Sequence, residues 1–420
     1  MTQLHKKFSN EQVKDLFQRY LEKQIERKFI QDFLGIKKRR FFSLLKKYRN
    51  NPKSFGIEYQ RSSKPKITKS TENNILKELK LDKKLIENKN TPLRWYNYSY
   101  VQRRLEDHYN QKVSLPTIIK RAKEHGFYLP KKPKKKLHDR EVLTDYVGQL
   151  VQHDTSYHLW APSAKTKWYL ISSLDDYSRF ILYAKLFPKE SSWAHIQSIQ
   201  STVLRFGCPY SYYVDCHSIF RYVKGRDQKH HNYQYFTDDI SPQWKQVLDE
   251  CNIKVTYALS PQAKGKIERP FGWMQDNMIR SCDRNNVKDI NHANRILDHE
   301  IKRYNFKTIH STTQEIPYIR FKNAINNKKS LFHEFFVPKP YLLPKDIFCL
   351  RLKRILDNYR TVSINKLKLK VNCNDTRVAV NIRIYPINNK LSELRFWYRG
   401  QLIDTKTIKN TDLSLCTFDL

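Results

Sequence analysis

Three acidic residues, Asp154, Asp215 and Glu268, have the type and placement that phosphodiester chemistry requires. Cutting or joining a phosphodiester needs a nucleophilic oxygen, a stabilised pentacoordinate phosphorus and a leaving oxyanion, and two divalent cations about 3.5–4 Å apart supply all three. Magnesium takes hard oxygen ligands, so carboxylates on rigid element ends must hold the ions. Asp154 closes a strand-like run after Leu150, Val151, Gln152 and His153, and Asp215 closes another after Tyr212, Tyr213 and Val214. Glu268 falls in the first turn of a helix that begins near Lys266, where the helix N-terminus favours an ionised carboxylate. In a chain with 41 Asp and Glu, a single acid is solvated surface by default; the signal is three placed together. Lys264, Lys266 and Arg269 beside Glu268 are of the kind that meets DNA phosphates.

The elements that must position these acids are legible as pattern. Runs at 147–154, 168–174 and 180–187 read as three strands. The second and third are joined by Asp175, Asp176, Tyr177, Ser178 and Arg179, a set suited to a hairpin turn. Phe180, Ile181, Leu182, Tyr183 and Ala184 are apolar without alternation, as in a strand buried on both faces. A helix over 191–206, a strand ending at 215, a helix over 244–250, a strand over 253–257 and a helix from 266 follow. Hairpin-linked strands and then alternating helix and strand predict an α/β core over 141–330, with a mixed sheet covered by helices.

The flanks differ in texture. Residues 1–60 predict helices only: Ser9 caps one with apolar positions at Val13, Leu16, Phe17, Tyr20 and Leu21, and a turn at Gly35 leads into the basic Lys37, Lys38, Arg39 and Arg40. That is the pattern of a helix-turn-helix DNA reader; a three-helix bundle with a solvated basic face is the alternative. Residues 67–128 repeat it as a second, winged helix-turn-helix, with Ser114 as a cap, Pro116 in the first turn, and Lys120 and Arg121 facing DNA. Residues 129–140 are a basic, proline-containing linker. Short strand-like runs over 340–420 predict a small C-terminal β-barrel. The fold class expected is therefore multidomain: all-α units, an α/β core and a small barrel.

Charge narrows the function. Among 420 residues, 79 Lys and Arg against 41 Asp and Glu give a net +38, far beyond what solubility needs and suited to a polyanion. No apolar run is long enough to span a membrane, and the N-terminus has no signal-peptide pattern. The seven cysteines form no C-x-x-C pair and read as buried thiols of a reducing compartment, so a cytoplasmic, nucleoid-associated protein is expected. No G-x-x-x-x-G-K-[ST] loop is present, so no nucleotide cofactor is expected.

At the acids a family resemblance emerges. Ser260, Pro261, Gly265, Glu268 and Arg269 match an S-P-x-x-x-G-x-x-E-R signature; Tyr213, Val214, Asp215, Cys216, His217, Ser218, Ile219, Phe220 and Arg221 resemble the motif around a second aspartate; residues 175–179 resemble a hairpin between the second and third strands. Over roughly 150–320 the chain resembles the integrase core of insertion-sequence transposases, ISNCY-like, related to retroviral integrases. The resemblance implies a ribonuclease-H-like fold with a DDE triad of Asp154, Asp215 and Glu268. It implies two Mg2+ (or Mn2+) ions per site, and cleavage at element ends followed by attack of the freed 3′-hydroxyl on target DNA. It also implies double-stranded DNA partners, terminal repeats and target, with a homo-oligomer on paired ends. One departure is spacing: 52 residues separate Asp215 from Glu268, more than the family's usual interval, the surplus falling near 225–241.

Other acids and histidines carry competing readings. Asp175 and Asp176 read as structural turn residues. Asp227, His230, His231, Asp238 and Asp239 read as a solvated loop in preference to a metal site. His153 either positions a metal-bound water or the substrate, or packs on the strand's other face; His217 either tunes the site or is structural. Two rival functions share the same residues: a ribonuclease-H-like nuclease without strand transfer, and a catalytically decayed DNA-binding protein.

Overall fold

The computed structural model describes residues 4–58, 67–130, 144–215, 220, 242–258, 265–364 and 367–413, the side chains of 265–269 excepted. The chain divides into two units, residues 1–72 and 73–420.

In the first unit, α1 (Asn10–Leu21) opens on a capping box in which Ser9 and Gln12 satisfy each other's backbone N–H groups. The next helix, α2 (Arg27–Leu34), stops at Gly35, whose φ of 64° lies in the left-handed region that favours glycine. It is followed by α3 (Lys38–Asn50), which buries Phe41, Leu44, Leu45 and Tyr48, one stripe at helical spacing, against Val13, Phe17, Ile30 and Leu34. Lys37, Lys38, Arg39 and Arg40 are left exposed.

The second unit begins with α4 (Lys69–Glu87), α5 (Tyr98–Tyr109) and α6 (Leu115–Glu124). The wing expected after α6 is absent among the described residues: Phe127 packs edge-on against Tyr96, and Tyr98 donates to the Phe127 carbonyl, so the chain folds back along 96–98 and pairs with no strand. The core sheet comprises β1 (Val151–His158), β2 (Trp168–Asp175), β3 (Ile181–Phe187), β4 (Ser211–Val214) and β5 (Lys254–Tyr257), in the order β3-β2-β1-β4-β5. The first three strands are antiparallel; β4 and β5 join parallel to β1. This is the mixed sheet expected of a ribonuclease-H-like core. One face packs Val151, Leu182, Tyr212 and Val214 against α7 (Ser192–Phe206) and α8 (Gln243–Glu250). The other packs Leu170, Leu174 and Leu186 against α9 (Gly265–Arg284) and α10 (Ile290–Lys307).

The first strand starts four residues later than expected, so Asp154 lies mid-strand and not at its end. Val147 is held by a bridge to Ser330, and Gly148 has φ +72° with the Phe332 ring and backbone where a Cβ would sit. The chain therefore enters the sheet only after that pivot.

Beyond α11 (Pro317–Asn326) and the short α12 (Pro344–Ile347) come β6 (Leu350–Ile355), β7 (Thr361–Ile364), β8 (Leu367–Lys370), β9 (Ala379–Pro386), β10 (Leu391–Tyr398) and β11 (Gln401–Lys409). They do not close a barrel: β11-β10-β9-β6 form an open antiparallel sheet, and β7-β8 a separate hairpin. The apolar face of the open sheet, with Ile382, Ile384, Leu394 and Phe396, joins the cluster around α7 and α8, and Trp193 meets Tyr385 at 5.5 Å. A face already covered by helices has no need to curl onto itself. Among the described residues no helix is long and apolar enough to cross a membrane, and Cys208, Cys251, Cys282, Cys349 and Cys373 are buried free thiols.

Candidate active site

The strand register brings two of the three acids together. β1 pairs parallel with β4 through Val151↔Tyr212 and Gln152↔Tyr213. Continued by two residues, that register sets position 154 level with position 215, and level residues on neighbouring parallel strands share a face. Both Asp154 and Asp215 are half-buried. On its other side Asp154 is opposite the buried Ser172 of β2. Sheet order thus places Asp154 on the central strand and Asp215 where β4 ends, one strand spacing apart, roughly 4.8 Å.

Glu268 lies in the first turn of α9, and its side chain is outside the described residues. The path to it is set by β5, which runs parallel to β4, so the chain leaves the sheet at the end where Asp215 sits. On the same face of β1 as position 154, Ser156 accepts a 3.3 Å hydrogen bond from Gln275 of α9. Positions 268 and 275 are two helical turns apart, on one face of that helix. Pro270 withholds one backbone N–H from the helix just beyond Glu268.

Alternation sends His153 to the opposite face, where it is fully buried. Its Nδ1 is 2.8 Å from Ser173 Oγ and its Nε2 2.8 Å from His195 Nδ1; His195 Nε2 in turn lies 3.1 Å from Glu190. That polar chain ties β1 to β2 and α7 behind the acids.

Asp175 and Asp176 anchor the β2–β3 turn from inside. Asp175 accepts from the backbone N–H groups of Gly148 and Ser178, 2.8 Å each, and from the Ser178 hydroxyl at 2.5 Å. Asp176 accepts from Gln152 at 2.5 Å, Thr144 at 2.8 Å and Arg179 at 3.0 Å. Sequence reasoning missed these donors; the one available sign was Gln152, two residues from Asp154 on the same strand face. Burial pushes the Asp175 carboxyl up to about 6, against the lowering pull of its hydrogen bonds from Ser178 and Gly148. Because this folded value lies above the ordinary 3.8, its contribution to stability is full at acid pH and is lost as pH rises from about 4 to 6. Asp175→Ala strands three donors and is expected to cost about 3 kcal/mol at pH 7, and the wild-type fall in stability across pH 4–6 should flatten in the variant. Urea midpoints at pH 4.5 and 7 read both effects, and an unchanged midpoint at pH 7 would remove the anchoring role.

The expected DNA contacts divide. Lys37 to Arg40 lie exposed at the start of α3. Lys120 and Arg121 both pair with Glu124, at 3.9 and 2.7 Å. Lys264, His217, the residues near 225–241 and most of the basic linker fall outside the described residues, as do the side chains of Lys266 and Arg269.

Comparison with known proteins gives two curated relatives. A putative transposase, y4bF, of Sinorhizobium fredii is 28% identical over 193 residues, 46% of this chain and 40% of its own length. The transposase of insertion sequence IS1202 of Streptococcus pneumoniae is 27% identical over 195 residues, with 46% and 40% coverage. The aligned part thus spans about two fifths of either relative. No family model matches the chain. Solved structures similar to parts of it include the HTLV-2 integrase catalytic core in complex with magnesium (14% identity, TM-score 0.32, 43% of this chain and 99% of that one). The simian T-cell lymphotropic virus intasome in complex with a PP2A regulatory subunit is another (14%, TM-score 0.34, 72% and 93%). With these relatives and the motifs around Asp154, Asp215 and Glu268, the chain is a distant homologue of insertion-sequence transposases of the DDE type.

Proposed function

We propose that the protein is a DNA transposase that cuts phosphodiesters at the ends of its element and joins the freed 3′-hydroxyl to target DNA. Asp154, Asp215 and Glu268 are its catalytic carboxylates and metal ligands. The observation that carries this reading is the parallel register that sets Asp154 level with Asp215 on a sheet whose last strand leads toward the helix of Glu268. Carboxylate oxygens from rigid elements fit Mg2+ or Mn2+, and two such ions would supply the positive charge and nucleophile activation that phosphoryl transfer needs. The chain's own part is positional. Asp154 is fixed between β2 and β4, Asp215 is held at the end of β4, and Glu268 has the favourable field of a helix N-terminus.

The remaining roles follow in the same reading. The exposed basic start of α3, Lys37 to Arg40, reads the element's terminal repeats; Lys120, Arg121, Lys264, Lys266 and Arg269 meet backbone phosphates; the net charge of +38 serves the whole DNA path. The functional segments are 1–60 and 67–128 for DNA reading, 129–140 as linker, 141–330 for chemistry and 340–420 as an accessory sheet. The protein works in the cytoplasm as a homo-oligomer on paired ends.

The test is strand transfer in vitro. Purified protein is incubated with a duplex carrying the element's own terminal repeat, a plasmid target and magnesium. Joined products that disappear on chelation are the expected result. Cutting without joining would replace the reading by a nuclease, and folded protein that binds its ends and does neither would make it a DNA-binding protein only.

A further inference from the structure

We propose that α4–α6 is a fixed brace of helix α9, and that Arg280, held between Asp82 of α4 and Asp276 of its own helix, positions the helix that carries Glu268. The claim about position stands on the geometry alone; its consequence for joining DNA rests on the function proposed above.

On its inner side α9 is held by apolar contacts: Phe271, Met274, Met278 and Cys282 pack against Trp160, Trp168, Leu170 and Leu174. Such contacts are non-directional and tolerate small slides and rotations of a helix. The directional contacts are on its other side and nearly all come from α4 and α5. Arg280 and Asp82 are fully buried and paired; Arg280 also contacts Asp276 at 3.0 Å and donates to the Trp95 carbonyl at 2.6 Å. Arg284 reaches Asp82 at 2.5 Å and Glu78 at 3.2 Å. Asn97 donates to Asp276, Arg103 to Asn277 at 2.7 Å, and the Tyr100 hydroxyl lies 3.1 Å from Ser281. Positions 276, 277, 280, 281 and 284 form one stripe along the helix.

The charges are matched. Two acids of α4, Glu78 and Asp82, at most 1% exposed, face two arginines of α9 at most 2% exposed. Burial alone would lower the Arg280 pKa, yet Asp82 and Asp276 more than offset it and leave it raised. Buried ion pairs add little net stability over apolar packing, but they penalise every arrangement except the one that pairs them. Planar guanidinium forks add a fixed orientation. Pro270 weakens the helix's first turn, so the line of α9 is set from the braced half. DNA held by α4–α6 would then stand at a fixed distance from Asp154 and Asp215, as a loosely tethered reader would not.

Hydrogen exchange on the full-length protein separates this from a merely stabilising contact. Wild type, Arg280→Lys and Arg280→Met are compared, with cooperative thermal melting as the check on folding. In folded Arg280→Met, exchange across 265–275 should rise by about tenfold or more, beyond the contact itself. In Arg280→Lys, which keeps the charge but not the fork, the rise should be within about threefold. If Arg280→Met does not fold, Asp276→Asn on the outer side of the pair should give the same change at smaller amplitude. Exchange that rises only over 276–284, or nowhere, in a folded variant overturns the brace. Single-turnover joining at saturating DNA is measured on the same samples. Where exchange rises, joining should fall about tenfold with DNA affinity kept within about threefold. Raised exchange together with a wild type that joins nothing leaves the brace standing and removes the transposase reading.

Discussion

Asp154→Asn in the full-length protein is expected to lose at least about 10³-fold in magnesium-dependent strand transfer, more than the 10–100-fold that losing a supporting group beside a metal ligand costs. Asparagine keeps the shape that fits between Ser172 and position 215, so the fold should hold. What goes is one negative charge and one anionic oxygen, which a divalent ion needs. Asp215→Asn and Glu268→Gln should fail equally, because ligands that act as a unit are not additive. DNA binding should persist or tighten slightly, since each change removes a negative charge from a surface that meets phosphates. The discriminating control is Asp176→Asn. Asp176 is an acid as buried as any in the core and tied to the same strand through Gln152, but it faces a hairpin turn. In folded protein it should retain joining within about tenfold. A folded Asp154→Asn that still joins DNA would end the assignment of the triad.

How far the sequence led depended on the range of the interaction concerned. The acids were legible because local signals surround them: an apolar strand before Asp215, and Ser260, Pro261 and Gly265 before Glu268. Helix starts such as Ser9 with Gln12 were also local. Asp154 was placed at a strand end because the cause of the late strand start, Phe332 against Gly148, is some 180 residues away. β11 went unread because Gln401–Lys409 is polar and charged, and closure of a barrel is a long-range property that strand count does not reveal. The brace was invisible for the same reason: Arg284 and Asp82 are 202 positions apart, and Lys, Arg, Asp and Glu in helices read as solvated faces. Asp175 and Asp176 were rightly read as turn residues, yet their buried acceptor role depends on Gly148 and Thr144, outside the turn.

Glu250→Gln is expected to destabilise the protein by about 3–5 kcal/mol, the cost of leaving buried arginines without a counter-charge. Glu250 ends α8 and grips two arginines of the C-terminal sheet: Arg383 of β9 at 2.6 and 2.9 Å, in a two-pronged contact, and Arg351 of β6 at 2.6 Å. Their side chains are only 6% and 11% exposed, and the Arg383 guanidinium also lies 3.7 Å over the Tyr341 ring. Glutamine keeps the volume but can accept through one oxygen only, and it carries no charge. The pH dependence gives an independent check. Burial alone would raise the Glu250 pKa, but hydrogen bonds and charge from Arg383 and Arg351 bring it below the ordinary 4.5. Its stabilisation is therefore complete above about pH 4.5 and is lost as pH falls through the depressed folded value. Urea midpoints of wild type and variant should differ most at pH 6–7 and converge under acid. Limited proteolysis should release the sheet of residues 350–409 from the variant before any cleavage within β1–β3. A midpoint shift under about 1 kcal/mol would mean that the apolar cluster around Trp193, Phe348 and Tyr385 holds that sheet without help from charge.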